Sequence, residues 1–304
     1  MIDEEHLRRV KISKSPLGQR MVAKVLWLTY RLPENTEIVL EGLENIPTDR
    51  GVMFALNHTD RYNYWPFQYE LLRQGHPRFT LTWVKAKYYE NKVLGWFFDQ
   101  CNNLPLPSRG YAILKDAAAV LQRRLANDEY RVLRDLVDHK LEPDAIEGAL
   151  RSSLGPLFTT PRADFRPDSE DYQAFMNRRC DRLMALVEQR SLEALHEKDN
   201  HIIVFPQGTR SVRLLPSRTG MLEFALRHHV PIVPVGSNGC EGVYPGASPW
   251  ASGGRVVYRV GAPLTLDGAL AGCRIDEPYR PFTQEANVHA EVFERGAEIV
   301  TRSI

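Results

Sequence analysis

Two short apolar runs, each cut off by polar, turn-forming residues, constrain this chain more than anything else in it. One lies in HIIVFPQGTRS, His201 to Ser211, where Ile202 to Phe205 stop at Pro206 and lead into Gly208, Thr209, Arg210 and Ser211. The other lies in GVMFALNHTD, Gly51 to Asp60, where Val52 to Leu56 end at Asn57 and His58 and give way to RYNYWPFQY. Uninterrupted apolar runs of this length, bounded by turn residues, read as strands buried on both faces. Open α/β sheets bind ligands beyond the carboxyl ends of such strands. On that reading the first segment delivers a hydroxyl and a guanidinium to the rim, and the second delivers an imidazole. Histidine titrates near neutral pH and can act as a base there. A guanidinium matches a phosphate or carboxylate through paired N–H donors. The alternative is a structural histidine and a loop arginine in water.

The rest of the chain extends the same pattern. Strands are expected at 37–41, 51–56, 79–84, near Leu104, at 201–205 and at 232–236, with an alternating, edge-like strand at 255–260. Helical periodicity covers 65–73, 90–100, 220–228 and 286–301. Strands alternating with helices predict an α/β fold, a layered sheet flanked by helices. About 90 residues separate Arg109 from His201, and they are helix-rich: 111–125, 130–139, 143–154 and a long helix at 172–196, with a Pro- and charge-rich linker at 160–168. Within this stretch, residues 126–168 form a helical insertion, either a lid over the site or a structural elaboration.

Composition sets wide bounds. With 304 residues, 43% of them hydrophobic, the chain can bury a sizeable core. A net charge of +1 gives no basis for a nucleic-acid partner. Cys101, Cys180, Cys240 and Cys273 are scattered without metal-type pairing and suit a reducing compartment. No signal peptide is expected, and no apolar stretch is long enough for a spanning helix. From His6 to Leu32 there are seven basic residues and no acidic one. Within it, Arg20, Lys24, Trp27 and Arg31 fall on one side of a helix, and Met21, Val22, Val25, Leu26 and Leu28 on another. A basic amphipathic helix of this kind either lies in a membrane interface or packs on the protein's own core.

Four ordered blocks of the chain resemble those of the glycerol-phosphate and lysophosphatidic acid acyltransferases. The first is NH-x4-D, here Asn57 and His58 with Asn63 at the Asp position. The second is Lys85, Ala86, Lys87, Tyr88 and Tyr89, then Gly95, Trp96, Leu104, Pro105 and Arg109. The third is FPEGTRS, here Phe205 to Ser211 with Gln207 for Glu, and the fourth is VPIVPV, Val230 to Val235. The resemblance implies an N-terminal basic amphipathic segment at 1–34, then an acyltransferase domain at 35–304.

It also implies a function: transfer of a fatty acyl group from an acyl thioester, acyl-CoA or acyl carrier protein, to a hydroxyl of a glycerol-phosphate-like or lysophospholipid acceptor. No metal or organic cofactor is implied. His58 becomes the general base, partnered either by Asn63 or by Asp60, which carries the charge that Asn63 lacks. Asp60 is favoured on that ground, because a carboxylate stabilises the imidazolium that forms. Arg109, Gln207, Gly208, Thr209 and Arg210 become the substrate-binding set. The location implied is cytoplasmic, peripheral on the inner face of a membrane, with contact through residues 1–32. The rival expectation is a catalytically silent or weak lipid-binding homologue on the same fold, since two blocks carry an amide in place of a carboxylate.

Overall fold

The computed structural model describes residues 2–146, 148–162 and 164–304. Glu147 and Ala163, which fall in the third expected insertion helix and in the expected linker, lie outside the described residues. Among the described residues there are seven strands: β1 (Thr36–Glu41), β2 (Met53–Leu56), β3 (Thr80–Lys85), β4 (Asn103–Leu106), β5 (His201–Val204), β6 (Ile232–Asn238) and β7 (Gly254–Val260). The first five α-helices are α1 (Glu4–Arg9), α2 (Leu17–Thr29), α3 (Tyr64–Arg73), α4 (Lys92–Gln100) and α5 (Arg109–Leu121). Then come α6 (Asn127–Val137), α7 (Gly148–Thr159), α8 (Tyr172–Leu192), α9 (Gly220–Arg227), α10 (Cys240–Val243) and α11 (Ala290–Ser303).

The strands form one sheet in the order β1-β7-β6-β2-β5-β3-β4, parallel throughout except for the β6–β7 pair. The fold is α/β, as expected. β2 and β5 are neighbours at the centre and every residue in them is buried. That is why their sequences are apolar without alternation. The edge-like reading of 255–260 was wrong about position: β7 lies between β1 and β6. Its alternation arises because only one of its faces is well covered.

Side chains alternate across the sheet with period two. Met53, Ala55, Ile202 and Val204 point to one face, where they pack with α8, α9 and α11. Phe54, Leu56, Ile203 and Val233 point to the other, under α2 and α3. The N-terminal residues join the first of these cores: Ile2, Leu7, Val10 and Ile12 are buried in it. Arg190 of α8 donates to the carbonyls of Leu7 and Arg8. Residues 2–12 are therefore part of the globular body and not a free anchor. The short helix α1 was not foreseen. Its start is set by Asp3, whose carboxylate accepts from the His6 N–H at 2.8 Å.

The helices between β4 and β5 build a third core from Ile113, Leu133, Leu157, Phe165 and Phe175. Buried Asp116 is held there by Arg162 at 2.6 Å and Arg179 at 3.3 Å. α8 ties this unit to the sheet, because Cys180 belongs to the helical core and Leu183, Leu186 and Val187 to the main one. The third insertion helix starts later than expected: a 3-10 turn occupies Pro143–Ala145, and α7 begins at Gly148. Among the described residues, no helix is long and apolar enough to cross a membrane.

Candidate active site

β2 and β5 end side by side, so the polar residues after them share one rim. Two backbone links staple the two loops together. The Gln207 amide oxygen accepts from the His58 N–H at 2.8 Å, and the His58 carbonyl accepts from the Ser211 N–H at 2.8 Å. The Gln207 NH2 also donates to the Arg213 carbonyl at 3.3 Å. Gln207 is 3% exposed and its amide is used by backbone at both ends. It bridges the two loops, and the sequence-predicted binding role has to be met with both ends of its amide already bonded to backbone. Gly208 adopts φ +67°, and a Cβ there would meet the Arg218 side chain at 2.9 Å. Glycine thus serves the turn and leaves room for a guanidinium.

His58 stacks on Phe205, with centroids 4.1 Å apart. Its Nδ1 faces the Asn63 side-chain oxygen at 3.2 Å. The Asn63 amide can present only that oxygen, because its NH2 donates to the Asn57 carbonyl at 2.5 Å and to Ser237 Oγ at 3.3 Å. Asn57 is fixed in turn: its side-chain oxygen accepts from the Ser237 N–H at 2.6 Å and from Ser237 Oγ at 3.0 Å, and its NH2 donates to the Ser237 carbonyl at 2.9 Å. With an acceptor opposite Nδ1, the neutral ring carries its proton on Nδ1 and leaves Nε2 as the basic nitrogen. Burial pushes the His58 pKa down to about 4; the Asn63 bond opposes this, and the nearby Arg210 and Lys85 charges add to it. The imidazole is neutral at pH 7.

Asp60 does not take the place expected for it. Its carboxylate accepts from the Tyr62 N–H at 2.6 Å and from the Thr59 hydroxyl at 3.0 Å, closing a turn of the loop. The ring partner of His58 is Asn63. Residues two apart on an extended strand share a side, but the turn at Asp60 breaks that alignment and spends its carboxylate on the Tyr62 N–H.

A cationic cluster faces the imidazole. The Lys85 pKa is lowered by burial and by the charges of Lys87, Arg218 and Arg210. Among the described residues, Lys85, Lys87, Arg210 and Arg218 have no carboxylate partner. All four cations are exposed at the rim, near enough for their charges to act on one another. Cations gathered at strand ends without carboxylates create a positive potential that attracts anions. Arg210 is where the sequence put it, and Thr209 is exposed beside it. Arg109 is committed elsewhere, to Asp138 of the helical insertion at 2.8 Å. Arg218, outside every sequence block, takes a place in the cluster. Its only sequence signal is that it closes the loop that Arg210 opens.

The fold is α/β, and part of the chain is similar to known acyltransferases. Residues 169–238 match the Acyltransferase family model, a segment that contains FPQGTRS and VPIVPV. The 1-acyl-sn-glycerol-3-phosphate acyltransferases of Limnanthes alba and Limnanthes douglasii are each 43% identical to the chain over 49 residues, 16% of this chain. The match spans 17% of the length of each of those relatives. The crystal structure of the 1-acyl-sn-glycerophosphate (LPA) acyltransferase PlsC from Thermotoga maritima aligns over 98% of this chain and 83% of that one, at 17% identity and a TM-score of 0.43.

Proposed function

We propose that the protein is an O-acyltransferase that moves a fatty acyl group from an acyl thioester to a hydroxyl of a phosphate-bearing, glycerol-type acceptor. The observation that carries this reading is the His58 ring, neutral, with Nδ1 held by Asn63 and Nε2 free beside a cationic cluster without carboxylates. The acceptor phosphate sits on Arg210, Arg218 and Lys85. Its hydroxyl then meets Nε2, which takes the proton as the oxygen attacks the thioester carbonyl. A C–O bond forms, the C–S bond breaks, and the thiolate leaves with the proton from the imidazolium. The same cations stabilise the oxyanion that develops on the way.

A narrow cleft of about 20 Å³ between α2, α3 and α4, lined by Val22, Leu26, Trp65, Leu72 and Phe97 among others, is the path of the acyl chain, which enters by parting these helices. It begins at Tyr64, whose ring lies 6.0 Å from that of Phe205, the residue stacked on His58.

Contact with a bilayer belongs to the same proposal and is carried by α2. Leu17, Met21, Val25 and Leu28 form a stripe on the outer side of the helix, each 47–60% exposed. Val22 and Leu26 turn inward onto the core. The apolar side read from the sequence thus splits into an inner and an outer half. Val93 and Trp96 of α4 are exposed as well, at 76% and 65%. Arg20, Lys24 and Arg31 flank the stripe, as an anionic lipid surface requires.

The test is release of free thiol from acyl-CoA by the purified protein, across a panel of lyso-acceptors. His58→Ala should lower turnover by about 10²–10⁴. Wild-type turnover in that variant would overturn the mechanism. Inactivity of the wild type on every acceptor would favour the silent lipid-binding reading.

A further inference from the structure

We infer that the acyl groove is built for an oxygenated chain, one that carries a hydroxyl well away from its carbonyl. The inference rests on the acyltransferase reading and concerns the floor of the groove, which is polar where an ordinary acyl site would be apolar.

Asn103 on β4 lines the groove together with Gln19 and Tyr64. It is 2% exposed. Its amide lies against the Tyr64 hydroxyl at one end, and its side-chain oxygen has no hydrogen-bond partner. Turning the amide over would only exchange which end is unpaired. Thr82, the register partner of Asn103 on β3, points to the same face of the sheet and is 1% exposed. Its hydroxyl also lacks a partner. Gln19 offers no relief, because its NH2 is shared between the carbonyls of Thr80 and Cys101. A buried polar atom without a partner is costly, and two neighbouring ones on a sheet face need an explanation. On β2, β5 and β6 the same face is packed with Phe54, Ile203 and Val233. Asn103 and Thr82 stand side by side on β4 and β3, and Asn103 lines the groove.

Register arithmetic places this floor far from the reacting atoms. Asn103 is level with Thr82, Ile203 and Phe54 across the sheet. His58 lies four residues beyond Phe54, roughly 13 Å along the strand direction at about 3.3 Å per residue. β4 is three strands from β2, roughly 14 Å sideways. An oxygen that meets Asn103 is therefore not adjacent to the thioester; it belongs to the middle or distal part of a long chain. A chain that parts α2 from α3 would bring its hydroxyl to the Asn103 oxygen as a donor.

The test pairs ricinoleoyl-CoA with oleoyl-CoA, which differ by one mid-chain hydroxyl. The wild type should prefer the hydroxylated donor by about three- to tenfold in kcat/KM, the range of one buried hydrogen bond. Asn103→Leu should abolish or reverse the preference, read as the ratio of kcat/KM for the two donors. Thr82→Val, which keeps the β-branched shape, should reduce it and serves where Asn103→Leu does not fold. Transfer of both donors at equal efficiency would overturn the inference and leave the acyltransferase reading standing. Transfer of neither donor would overturn that reading. Displacement of a fluorescent fatty acid by ricinoleate and oleate then decides the groove by itself, tighter binding of ricinoleate supporting the inference and equal binding ending it.

Discussion

Asn63→Asp restores a charge beside His58, and its effect can be worked out from the geometry. In the wild type the ring titrates at about 4 because it is buried and faces two cations, while its one partner, Asn63, is neutral. The acid limb of kcat/KM, which reports the free enzyme, should therefore fall near pH 4 and not near the ordinary 6.5 of histidine. The sign follows from the chemistry: the base must be unprotonated, so activity is present above that pKa and lost as pH falls through it. An aspartate oxygen at the 3.2 Å of the present contact would attract the imidazolium by about 5 kcal/mol at an effective dielectric of about 20. Two costs reduce that. The carboxylate would be as buried as Asn63, which is 0% exposed. It would also face the Asn57 carbonyl, where an NH2 now donates at 2.5 Å.

The net shift for a nearby opposite charge is typically about 1–3 pH units, which moves the acid limb to between about 5 and 7. The imidazolium formed in the reaction gains the same stabilisation, so turnover at pH 8 should rise by about tenfold or more. The misplaced carboxylate should lower stability by about 1–3 kcal/mol. Thiol-release kinetics from pH 3.5 to 9, with a thermal melt at each pH, measure all three. If the acid limb of the variant coincides with that of the wild type, Asn63 is not the ring partner. If the wild-type limb lies near 6.5, the base is not a buried imidazole.

Three further expectations are independent of this one. Arg210→Lys and Arg218→Ala should each raise the acceptor KM several-fold and leave the donor KM near wild type, because the fork that matches phosphate is lost; Arg109→Lys should do neither. Val25→Glu with Leu28→Glu should release the protein from anionic liposomes in co-sedimentation, and wild-type binding should weaken with salt. That pair is the right perturbation because deleting residues 1–32 would also strip Ile2, Leu7, Val10 and Ile12 from the core. Finally, His201 is buried, its Nδ1 accepts from the Val52 N–H at 3.1 Å, and burial holds its pKa well below the usual value. The unfolded chain therefore binds a proton below pH ~6.5 that the folded chain does not, so stability is intact above that pH and falls as the pH drops below it. His201→Asn, which keeps an acceptor for Val52, should flatten that fall in thermal melts from pH 7 to 5; an unchanged slope would place the acid sensitivity elsewhere.

Much of this fold was legible because its signals are local. The central strands read as unbroken apolar runs since both faces of the sheet are covered. Helix α4 fits its periodicity and starts at a side-chain cap, Asn91, which accepts from the N–H groups of Val93 and Leu94. Position across the sheet was not legible. Alternation in 255–260 reports one covered face, and a strand gains that pattern at an edge or one place in from it. The N-terminal segment shows a second limit. Apolar residues on one side of α2 are compatible with core or with lipid, and only packing against α3 separates Leu26 from Met21 and Val25. Short-range spacing put His58 just past β2, and Gly208 and Arg210 just past β5, where the structure has them. The direction of the Asp60 side chain depends on whether Thr59 to Tyr62 form a turn, and the competing hydrogen bond from the Tyr62 N–H decided that.

With Asn63 in place of a carboxylate, the proposed catalysis depends on Asn57, from the first block, and on Ser237, which no block contains. A carboxylate has two equivalent oxygens, and either one fixes the histidine tautomer. An amide does so in one orientation only. Turned over, it would place an NH2 against Nδ1, drive the ring proton to Nε2 and remove the base from the reacting side. In this chain the correct orientation is imposed by the Asn57 carbonyl and by Ser237 Oγ, both of which face the Asn63 NH2. Ser237 can play that part because its own proton goes to the Asn57 side-chain oxygen. Asn57 lies at the end of β2 and Ser237 near the end of β6, and these strands are adjacent in the sheet. The tautomer of the proposed base is thus set by the register of two parallel strands, a property of the assembled sheet and not of the loop that carries the histidine.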